Sequence, residues 1–281
     1  MSRLLARLMD AQAAWARPLG DFNHRWLSAL FGPIRPVKDL LNGTWLGHPL
    51  HGASTDIPIG AFLVSFVLDL VNQRAAADVA LVVAILFMVA SAISGLADYT
   101  DTDGTPRVRA TVHATLMVVA LVLFLLSLVV RWGDPIDRTL AVVVSGIGLA
   151  IVTAGAYVGG DVVYVLGNMV SRHAFRGAGG KWVALDLSEI PEGTLTKAKA
   201  GVNTLVLYRQ GAAIQALHDT CAHAGGPLSQ GKLVDGCVEC PWHGSRFRLA
   251  NGHLVRGPSV YDQPAYEVRA TDTGWEARRV S

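Results

Sequence analysis

The sequence predicts a membrane-spanning bundle of four α-helices followed by an all-β domain with a metal centre. Three long stretches without Asp, Glu, Lys or Arg lie before residue 170, and a fourth apolar segment precedes them. Alternating apolar and polar residues, typical of β-strands, begin after residue 180. Within that second part, two short loops each contain one Cys and one His. These patterns predict two domains of different kinds.

The composition agrees with this division. Hydrophobic residues make up 51% of the 281 residues and charged residues only 16%, whereas soluble domains contain about 25% charged residues. The apolar surplus is concentrated in residues 48–166. A net charge of +2, without a basic patch of interleaved aromatic residues, predicts no nucleic-acid partner. The three cysteines provide no disulfide framework.

Residues 1–45 are predicted to form a basic amphipathic segment. Leucine, tryptophan and phenylalanine side chains separate its cations, which are Arg3, Arg7, Arg17, Arg25, Arg35 and Lys38. The segment has no apolar stretch of signal-peptide length and no twin arginine near its start, so we expect no export signal. We expect it either to lie on a membrane surface, with Trp26 and Phe31 at headgroup depth, or to dock as a helix on the rest of the protein.

Residues 46–170 contain the predicted spans. Residues 79–97, 110–130 and 139–160 are 19, 21 and 22 residues long and contain no Asp, Glu, Lys or Arg. Each is long enough to cross about 30 Å of hydrocarbon as a helix. A fourth span is predicted from residue 48 to residue 70, and we expect Pro58 to kink this helix without ending it.

Four spans place both ends of the bundle on one side of the membrane. That side carries eleven Lys or Arg near the span ends: six before the first span, two in the second loop and three after the last span. The other side carries three, which are Arg74, Arg131 and Arg138. By the positive-inside rule we expect a multi-pass protein of the inner (cytoplasmic) membrane whose C-terminal domain faces the cytoplasm.

Residues 171–180 are predicted to be a linker, and residues 181–281 an all-β domain. The linker is rich in glycine and, as a flexible chain, would span roughly 15–20 Å. The β pattern begins around Trp182 and Leu185 and continues to Trp275.

The β domain contains Cys221-Ala222-His223, followed after sixteen residues by Cys240-Pro241-Trp242-His243. Two thiolates and two imidazoles on two short loops are a metal-ligand set. Structural zinc is one candidate, but zinc sites usually place the two cysteines in one loop and the two histidines elsewhere. Here each loop provides one Cys and one His.

This mixed order resembles the Rieske [2Fe–2S] family, in which two Cys hold one iron and two His hold the other. The resemblance covers about residues 180–281 and includes the glycine and proline residues that follow the first loop. It implies a [2Fe–2S] cluster and electron transfer. Carried over to this sequence, it implies that Cys221 and Cys240 bind one iron and that His223 and His243 bind the other.

Departures from the family's pattern are also informative. Respiratory members carry an extra Cys in each loop and join the two as a disulfide, but the matching residues here are Gly226 and Trp242, so we expect no such disulfide. Ser245 stands where those proteins donate a hydroxyl hydrogen bond to a cluster sulfur, whereas Phe247 stands where they have a Tyr. Ser245 is the expected cluster-tuning residue. The resemblance implies a potential between those of all-Cys ferredoxins and respiratory members.

A second candidate site lies in the helical part. His48, His51 and Asp56 begin the first span, His113 begins the third, and the predicted topology gives them a similar depth. Three interpretations stay open: a b-type haem held by His113 and either His51 or His48, a quinone pocket in which His and Asp56 handle protons, and helix-cap hydrogen bonds. The pattern resembles an uncharacterised bacterial four-helix membrane family with an HPxH motif, over about residues 45–170, which implies no activity.

These features predict electron transfer. We expect a protein anchored in the lipid bilayer whose cluster passes single electrons between a site in the bundle, a haem or a quinone, and an unidentified redox partner protein in the cytoplasm. The alternative is a membrane-bound redox sensor or accessory subunit whose cluster state controls partner docking. Only 38 residues follow His243, too few for the non-haem iron domain of Rieske oxygenases, so we do not expect an oxygenase.

Overall fold

The structure, a computed structural model, describes residues 7–133, 137–174 and 180–280. Residues 1–6 of the predicted N-terminal segment and residues 175–179 of the predicted linker lie outside the described residues.

The chain divides into two units. The first unit contains the residues up to Asn42 together with Pro49–Asn168. The second unit contains Gly43–His48 together with the residues from Met169 onwards. The first unit is helical and the second is built from β-strands, so the predicted fold class is confirmed. The domain boundaries predicted at residues 45, 170 and 180 stay predictions.

Helices account for the first unit. They are α1 (Ala13–Phe31), α2 (Arg35–Asn42), α3 (Leu50–Ser54), α4 (Asp56–Leu70), α5 (Arg74–Tyr99), α6 (Gly104–Gly133) and α7 (Thr139–Gly160), and a π-helical turn at Asp161–Val165 follows α7. Among the described residues, four helical segments are long and apolar enough to cross a membrane. We call them span 1 (Leu50–Leu70), span 2 (Arg74–Tyr99), span 3 (Gly104–Gly133) and span 4 (Thr139–Val165).

Span 1 is interrupted once, between α3 and α4 at Thr55. Pro58 lies three residues later and has no N–H to donate to the carbonyl of Ser54, so the regular α-helical bonding pattern cannot run through this point. The Ile59 N–H still reaches the Thr55 carbonyl at 3.4 Å. The proline therefore produces a local break within one continuous apolar segment.

Helix α1 packs against the bundle. Ala16 and Leu27 are fully buried, and the Tyr99 hydroxyl donates to the Gly20 carbonyl at 3.2 Å. A Cβ at Gly20 would lie 2.6 Å from the Thr111 hydroxyl oxygen, so this glycine allows the close approach of α1 to spans 2 and 3. Of the two arrangements considered for the N-terminal segment, the structure shows the docked helix.

Buried charges near the ends of the spans are paired. The Arg131 guanidinium, which is fully buried, forms an ion pair with Asp69 and donates to Asp78 at 3.0 Å and to the Ser127 hydroxyl at 3.2 Å. A charged group in an apolar bundle is costly unless such partners surround it. These contacts join spans 1, 2 and 3 at one end of the bundle.

The second unit contains two antiparallel sheets. Their strands are β1 (Val183–Ala184), β2 (Thr196–Ala200), β3 (Asn203–Gln210), β4 (Ala213–His218), β5 (Lys232–Val234), β6 (Cys237–Glu239), β7 (Arg246–Arg248), β8 (Leu254–Arg256), β9 (Ala265–Thr271) and β10 (Gly274–Arg279). Six strands pair in the order β1-β10-β9-β4-β3-β2, and four pair in the order β5-β6-β7-β8. The small sheet carries the second Cys-and-His loop between β6 and β7.

Strand β3 is buried on both faces. Leu205 and Leu207 pack into one apolar cluster, whereas Val206 packs into another together with Leu217 and Phe247. Successive side chains of a strand point to opposite faces, which explains this alternation. The second cluster also contains both motif cysteines, so the large and small sheets share a core at the base of the two loops.

Candidate metal centre

Cys221 and His223 lie in a tight loop that follows strand β4. The Cys221 N–H donates to the Gly226 carbonyl at 2.9 Å, and the Gly225 N–H donates back to the Cys221 carbonyl at 2.9 Å. The turn requires φ of +90° at Gly225, a conformation that residues with a Cβ rarely adopt. The glycines of this segment therefore allow the loop that carries both residues to close.

The loop that carries Cys240 and His243 has the same construction. The Cys240 N–H donates to the Ser245 carbonyl at 2.8 Å, and the Gly244 N–H donates to the Cys240 carbonyl at 3.1 Å. Gly244 has φ of +78°. In both loops, therefore, the glycine four residues after the Cys closes the turn, and the carbonyl five residues after the Cys accepts its N–H.

The two loops bring like side chains together. The imidazole rings of His223 and His243 lie with centroids 5.0 Å apart and planes at 86°. Cys221 and Cys240 are both buried, and the Cys221 thiol donates a hydrogen bond to the Cys240 sulfur. The two loops thus pair the sulfurs of the predicted ligand residues with each other and their imidazoles with each other.

The electrostatics of the two thiols differ. The hydrogen bond from Cys221 lowers the pKa of the Cys240 thiol to about 7, and backbone N–H groups of Trp242 and His243 contribute in the same direction. The same hydrogen bond, together with burial, raises the pKa of the Cys221 thiol. Metals bind the thiolate, and backbone N–H groups of both loops favour this form.

Close contact between the loops depends on Gly226. A Cβ at this position would lie 2.9 Å from the Cys240 sulfur and 3.0 Å from the Trp242 ring. Real Cβ atoms do not come this close to other atoms, so only glycine lets the first loop lie against the second.

The arrangement can be compared with the ligand sets of the two candidate metals. A structural zinc ion needs four ligands that converge on one point. Among the described residues, no group of three or more His, Cys, Asp or Glu side chains converges on a single ion. A pair of sulfurs beside a pair of imidazoles instead suits two metal ions, one for each pair, which is the donor set of a [2Fe–2S] cluster with mixed ligands.

Sequence reasoning missed Gln263, which supports the first loop. Its side-chain oxygen accepts the Ala222 N–H at 2.9 Å, and its side-chain nitrogen donates to the carbonyls of His218 and Thr220 at 2.6 and 2.7 Å. The side chain is buried and connects the loop to the end of β4. No motif in the sequence marks this residue.

Cys237, the third cysteine, has a different environment. It lies in β6 opposite Arg248, is buried, and has its sulfur 3.8 Å from the Asp235 carbonyl oxygen. The location is that of a strand thiol beside the loop.

In the helical unit, the structure brings together two of the four predicted residues. The rings of His51 and His113 lie with centroids 6.1 Å apart. Asp56 is exposed. His48 is also exposed, and it belongs to Gly43–His48, a segment of the second unit. His51 and His113 are therefore the residues of this candidate site that contact each other.

Comparison with known proteins decides the identity of the C-terminal domain. The sequence pattern of the Rieske [2Fe-2S] domain matches residues 180–267. Ferredoxin CarAc of Metapseudomonas resinovorans is 31% identical over 86 residues, which are 30% of this chain and 80% of that protein. The chain belongs to the Rieske [2Fe–2S] family. Its Rieske domain implies a [2Fe–2S] cluster and electron transfer.

Further comparisons cover both domains. The ferredoxin component of a naphthalene 1,2-dioxygenase system of Pseudomonas aeruginosa is 32% identical over 90 residues, 32% of this chain and 86% of that protein. A solved chain from the complex of reduced oxygenase and oxidized ferredoxin in carbazole 1,9a-dioxygenase is 27% identical and covers 35% of this chain and 94% of its own, with a TM-score of 0.32. Residues 47–172 match the family described as predicted membrane protein (DUF2231).

Replacing Gly226 in the Rieske domain is expected to expel the cluster. In Gly226→Ala the new methyl group overlaps the Cys240 sulfur and the Trp242 ring, so the loops must separate. We expect iron and acid-labile sulfide per chain to fall at least about fivefold, because separated loops lose ligand geometry. Gly180→Ala is the control, since a Cβ there meets nothing within 4 Å. Full cluster content in Gly226→Ala would show that the close loop contact is not required.

Proposed function

We propose that this chain is a membrane-anchored Rieske protein that transfers single electrons between a site in its helical bundle and a redox partner protein in the cytoplasm. The observation that carries the proposal is the combination, in one chain, of a Rieske domain with four helices long and apolar enough to cross a membrane. Relatives of the Rieske domain are ferredoxin components of dioxygenase systems, which supports an electron-carrying role.

The cluster is held by the two loops. Cys221 and Cys240 bind one iron through their sulfurs, and His223 and His243 bind the other through ring nitrogens. The pairing of sulfur with sulfur and imidazole with imidazole supports this assignment. Backbone N–H groups of both loops point at the sulfurs and compensate the negative charge that the cluster would bring.

Ser245 tunes the potential of this cluster. The residue is buried, and its hydroxyl oxygen accepts the Ser259 N–H at 2.9 Å. Among the described residues the hydroxyl proton has no acceptor, so it is available to a cluster sulfur. A hydrogen bond to the sulfur stabilises the more negative, reduced cluster and raises its potential.

The outward faces of the spans support a membrane location. Large apolar side chains are exposed along all four spans, including Leu63, Leu86, Val118, Val129 and Leu140. A soluble domain rarely presents such a continuous apolar surface to water, whereas hydrocarbon accepts it without cost. The excess of Lys and Arg at the N-terminal side of the spans supports an inner-membrane location with the Rieske domain in the cytoplasm.

The bundle site exchanges electrons with the cluster through a haem or a quinone. His51 and His113 are the residues that support such a site, because they lie together within the apolar bundle and are ionisable.

Removing any one ligand is expected to abolish the Rieske signal. In the full-length protein, Cys221→Ser, Cys240→Ser, His223→Ala and His243→Ala each delete one of the four proposed iron ligands. We expect the electron paramagnetic resonance (EPR) signal of the dithionite-reduced cluster to fall below about a tenth of its unmodified intensity in each case. Cys237→Ser is the matched control and is expected to keep the full signal. Retention of the signal in His223→Ala or His243→Ala would refute the assignment.

Ser245→Ala is expected to lower the midpoint potential of the cluster. Loss of one hydrogen bond of about 1–2 kcal/mol corresponds to roughly 40–90 mV for a one-electron couple. The measurement is a redox titration followed by EPR. Ser229→Ala is the control, because this residue lies in the short 3-10 helix Leu228–Gln230 beyond the first loop. An unchanged potential in Ser245→Ala would show that its hydroxyl does not reach the cluster.

The proposed orientation can be tested with a C-terminal reporter. Green fluorescent protein fused after residue 281 is expected to fluoresce, because it folds in the cytoplasm, whereas alkaline phosphatase fused there is expected to be inactive. The same two reporters fused in the loop after span 3 should give the opposite result. Active phosphatase at the C-terminus would place the Rieske domain on the other side and contradict the proposal.

A further inference from the structure

The two halves of the bundle hold their histidines in the same way. His51 Nδ1 lies 2.8 Å from the Ser91 carbonyl oxygen, and His113 Nδ1 lies 2.8 Å from the Gly155 carbonyl oxygen. A carbonyl oxygen can only accept, so each Nδ1 carries the proton and each Nε2 keeps its lone pair. This is the state in which histidines bind metals, with the second nitrogen fixed by a carbonyl or carboxylate.

Each imidazole also lies over a glycine, four residues after that carbonyl. A Cβ at Gly95 would lie 2.9 Å from the His51 ring, and a Cβ at Gly159 would lie 3.0 Å from the His113 ring. Both rings therefore occupy space that only glycine leaves free. Gly95 and Gly159 are positioning residues for the two histidines.

The match extends along the spans. The Ser65 hydroxyl donates to the Ala77 carbonyl at 2.8 Å, and the Ser127 hydroxyl donates to the Ala141 carbonyl at 2.8 Å. Each serine lies fourteen residues after the histidine of its span. The first contact joins span 1 to span 2, and the second joins span 3 to span 4, so each pair of consecutive spans forms a helical hairpin.

Constant sequence offsets relate these contacts. Matching residues of spans 1 and 3 are 62 positions apart, as in His51 and His113 and in Ser65 and Ser127. Matching residues of spans 2 and 4 are 64 positions apart, and these pairs are Ala77 and Ala141, Ser91 and Gly155, and Gly95 and Gly159. The second hairpin therefore repeats the first. Parallel repeats of this kind are related by a pseudo-two-fold axis along the membrane normal.

Equivalent residues of two such repeats come into contact where both lie close to that axis. Among the described residues, three pairs do so: His51 with His113, Phe62 with Phe124, and Asp69 with Arg131. The two phenylalanine rings stack with centroids 3.7 Å apart and planes 7° apart. The histidines thus face each other from equivalent positions at one end of the axis.

Their separation suits a shared metal. With a metal–nitrogen bond of about 2.0 Å and about 1.1 Å from nitrogen to ring centroid, two imidazoles on opposite sides of one metal have centroids about 6.2 Å apart. The observed separation of the ring centroids is 6.1 Å, with the ring planes at 76°. Among the described residues, neither Nε2 has a hydrogen-bond partner, and no third His, Cys, Asp or Glu joins the pair to hold an ion.

A bare metal ion bound by protein normally takes three or four protein ligands. Two imidazoles alone would leave it incomplete, so the group bound here must bring its own ligands. A porphyrin supplies four nitrogens in a plane and leaves two axial positions, which two facing histidines fill. We infer that the bundle is a duplicated two-helix unit and that His51 and His113, the pair on its axis, bind the iron of one b-type haem through Nε2.

This inference rests on the proposed function for its role in electron transfer, but the binding site is testable by itself. The full-length protein is purified in detergent and titrated with haemin, with haem content measured by pyridine haemochrome. We expect one low-spin haem per chain, and at least a tenfold loss of haemin affinity in His51→Ala and in His113→Ala. His48→Ala, the other histidine of the HPxH sequence, is the matched control and should bind as the unmodified protein does.

The Rieske EPR signal of the same samples separates two kinds of failure. A normal Rieske signal without haem in the unmodified protein, before and after titration, overturns the inference and leaves the electron-transfer proposal standing. Low-spin haem that persists in either alanine variant also overturns it. His113→Met guards against misfolding, because a thioether can replace the imidazole; we expect it to keep haem with a shifted absorption spectrum.

The glycines provide a second, independent readout. In Gly95→Ala and Gly159→Ala the added methyl group displaces the histidine ring, so we expect part of the haem to become high-spin in both variants. Because Gly95 and Gly159 are equivalent in the repeat, the two variants should increase the high-spin fraction to a similar extent. Gly60→Ala is the control within span 1, because a Cβ there meets nothing within 4 Å. Unchanged low-spin spectra in both glycine variants would overturn the positioning role.

Discussion

One backbone hydrogen bond in each ligand loop, from the Cys N–H to the carbonyl five residues later, is the interaction on which the metal centre depends. It turns a stretch that would otherwise continue a strand into a closed loop, and the glycine at the fourth position completes the turn. Because both loops close in the same way, the two Cys occupy equivalent positions, and each loop places its His between the Cys and the glycine that closes the turn. Two equivalent loops facing each other bring sulfur to sulfur and imidazole to imidazole. Under the proposed function, this pairing divides the four ligands between two irons.

The helical unit obeys a different constraint, which is that polar groups among apolar helices must find partners within the protein. Serine hydroxyls donate to carbonyls of the neighbouring span, and Arg131 is surrounded by carboxylates and hydroxyls. Each such contact also fixes how two helices lie against each other. The polar residues therefore determine the register of the bundle, while the apolar side chains that surround them tolerate several packings.

The two domains differ in how much the sequence could predict. The ligand loops could be recognised because the chemistry lies within a few neighbouring residues, and the spans because charged residues are missing over about twenty positions. Gln263 could not be found, since it contacts Ala222 from 41 residues away and nothing near it marks a function. Only packing separates His51 from His48, which are alike in type and three residues apart. The repeat is present in the sequence as His-x10-Phe-x2-Ser at residues 51–65 and 113–127. Three matching residues are too few to indicate a duplication by themselves, and the structure adds that the His and Ser of both copies make the same hydrogen bonds.

The pairs on the axis of the bundle explain why its two ends differ. Duplication places the same residue twice at each point on the axis, and two like charges there would repel each other. At one end the repeat has diverged to Asp69 and Arg131, which satisfy each other as an ion pair. At the other end both residues are histidine, and two neutral imidazoles with Nδ1 committed to carbonyls present lone pairs that cannot bond to each other. A metal ion that accepts both lone pairs would satisfy this pair, in line with the inference drawn above.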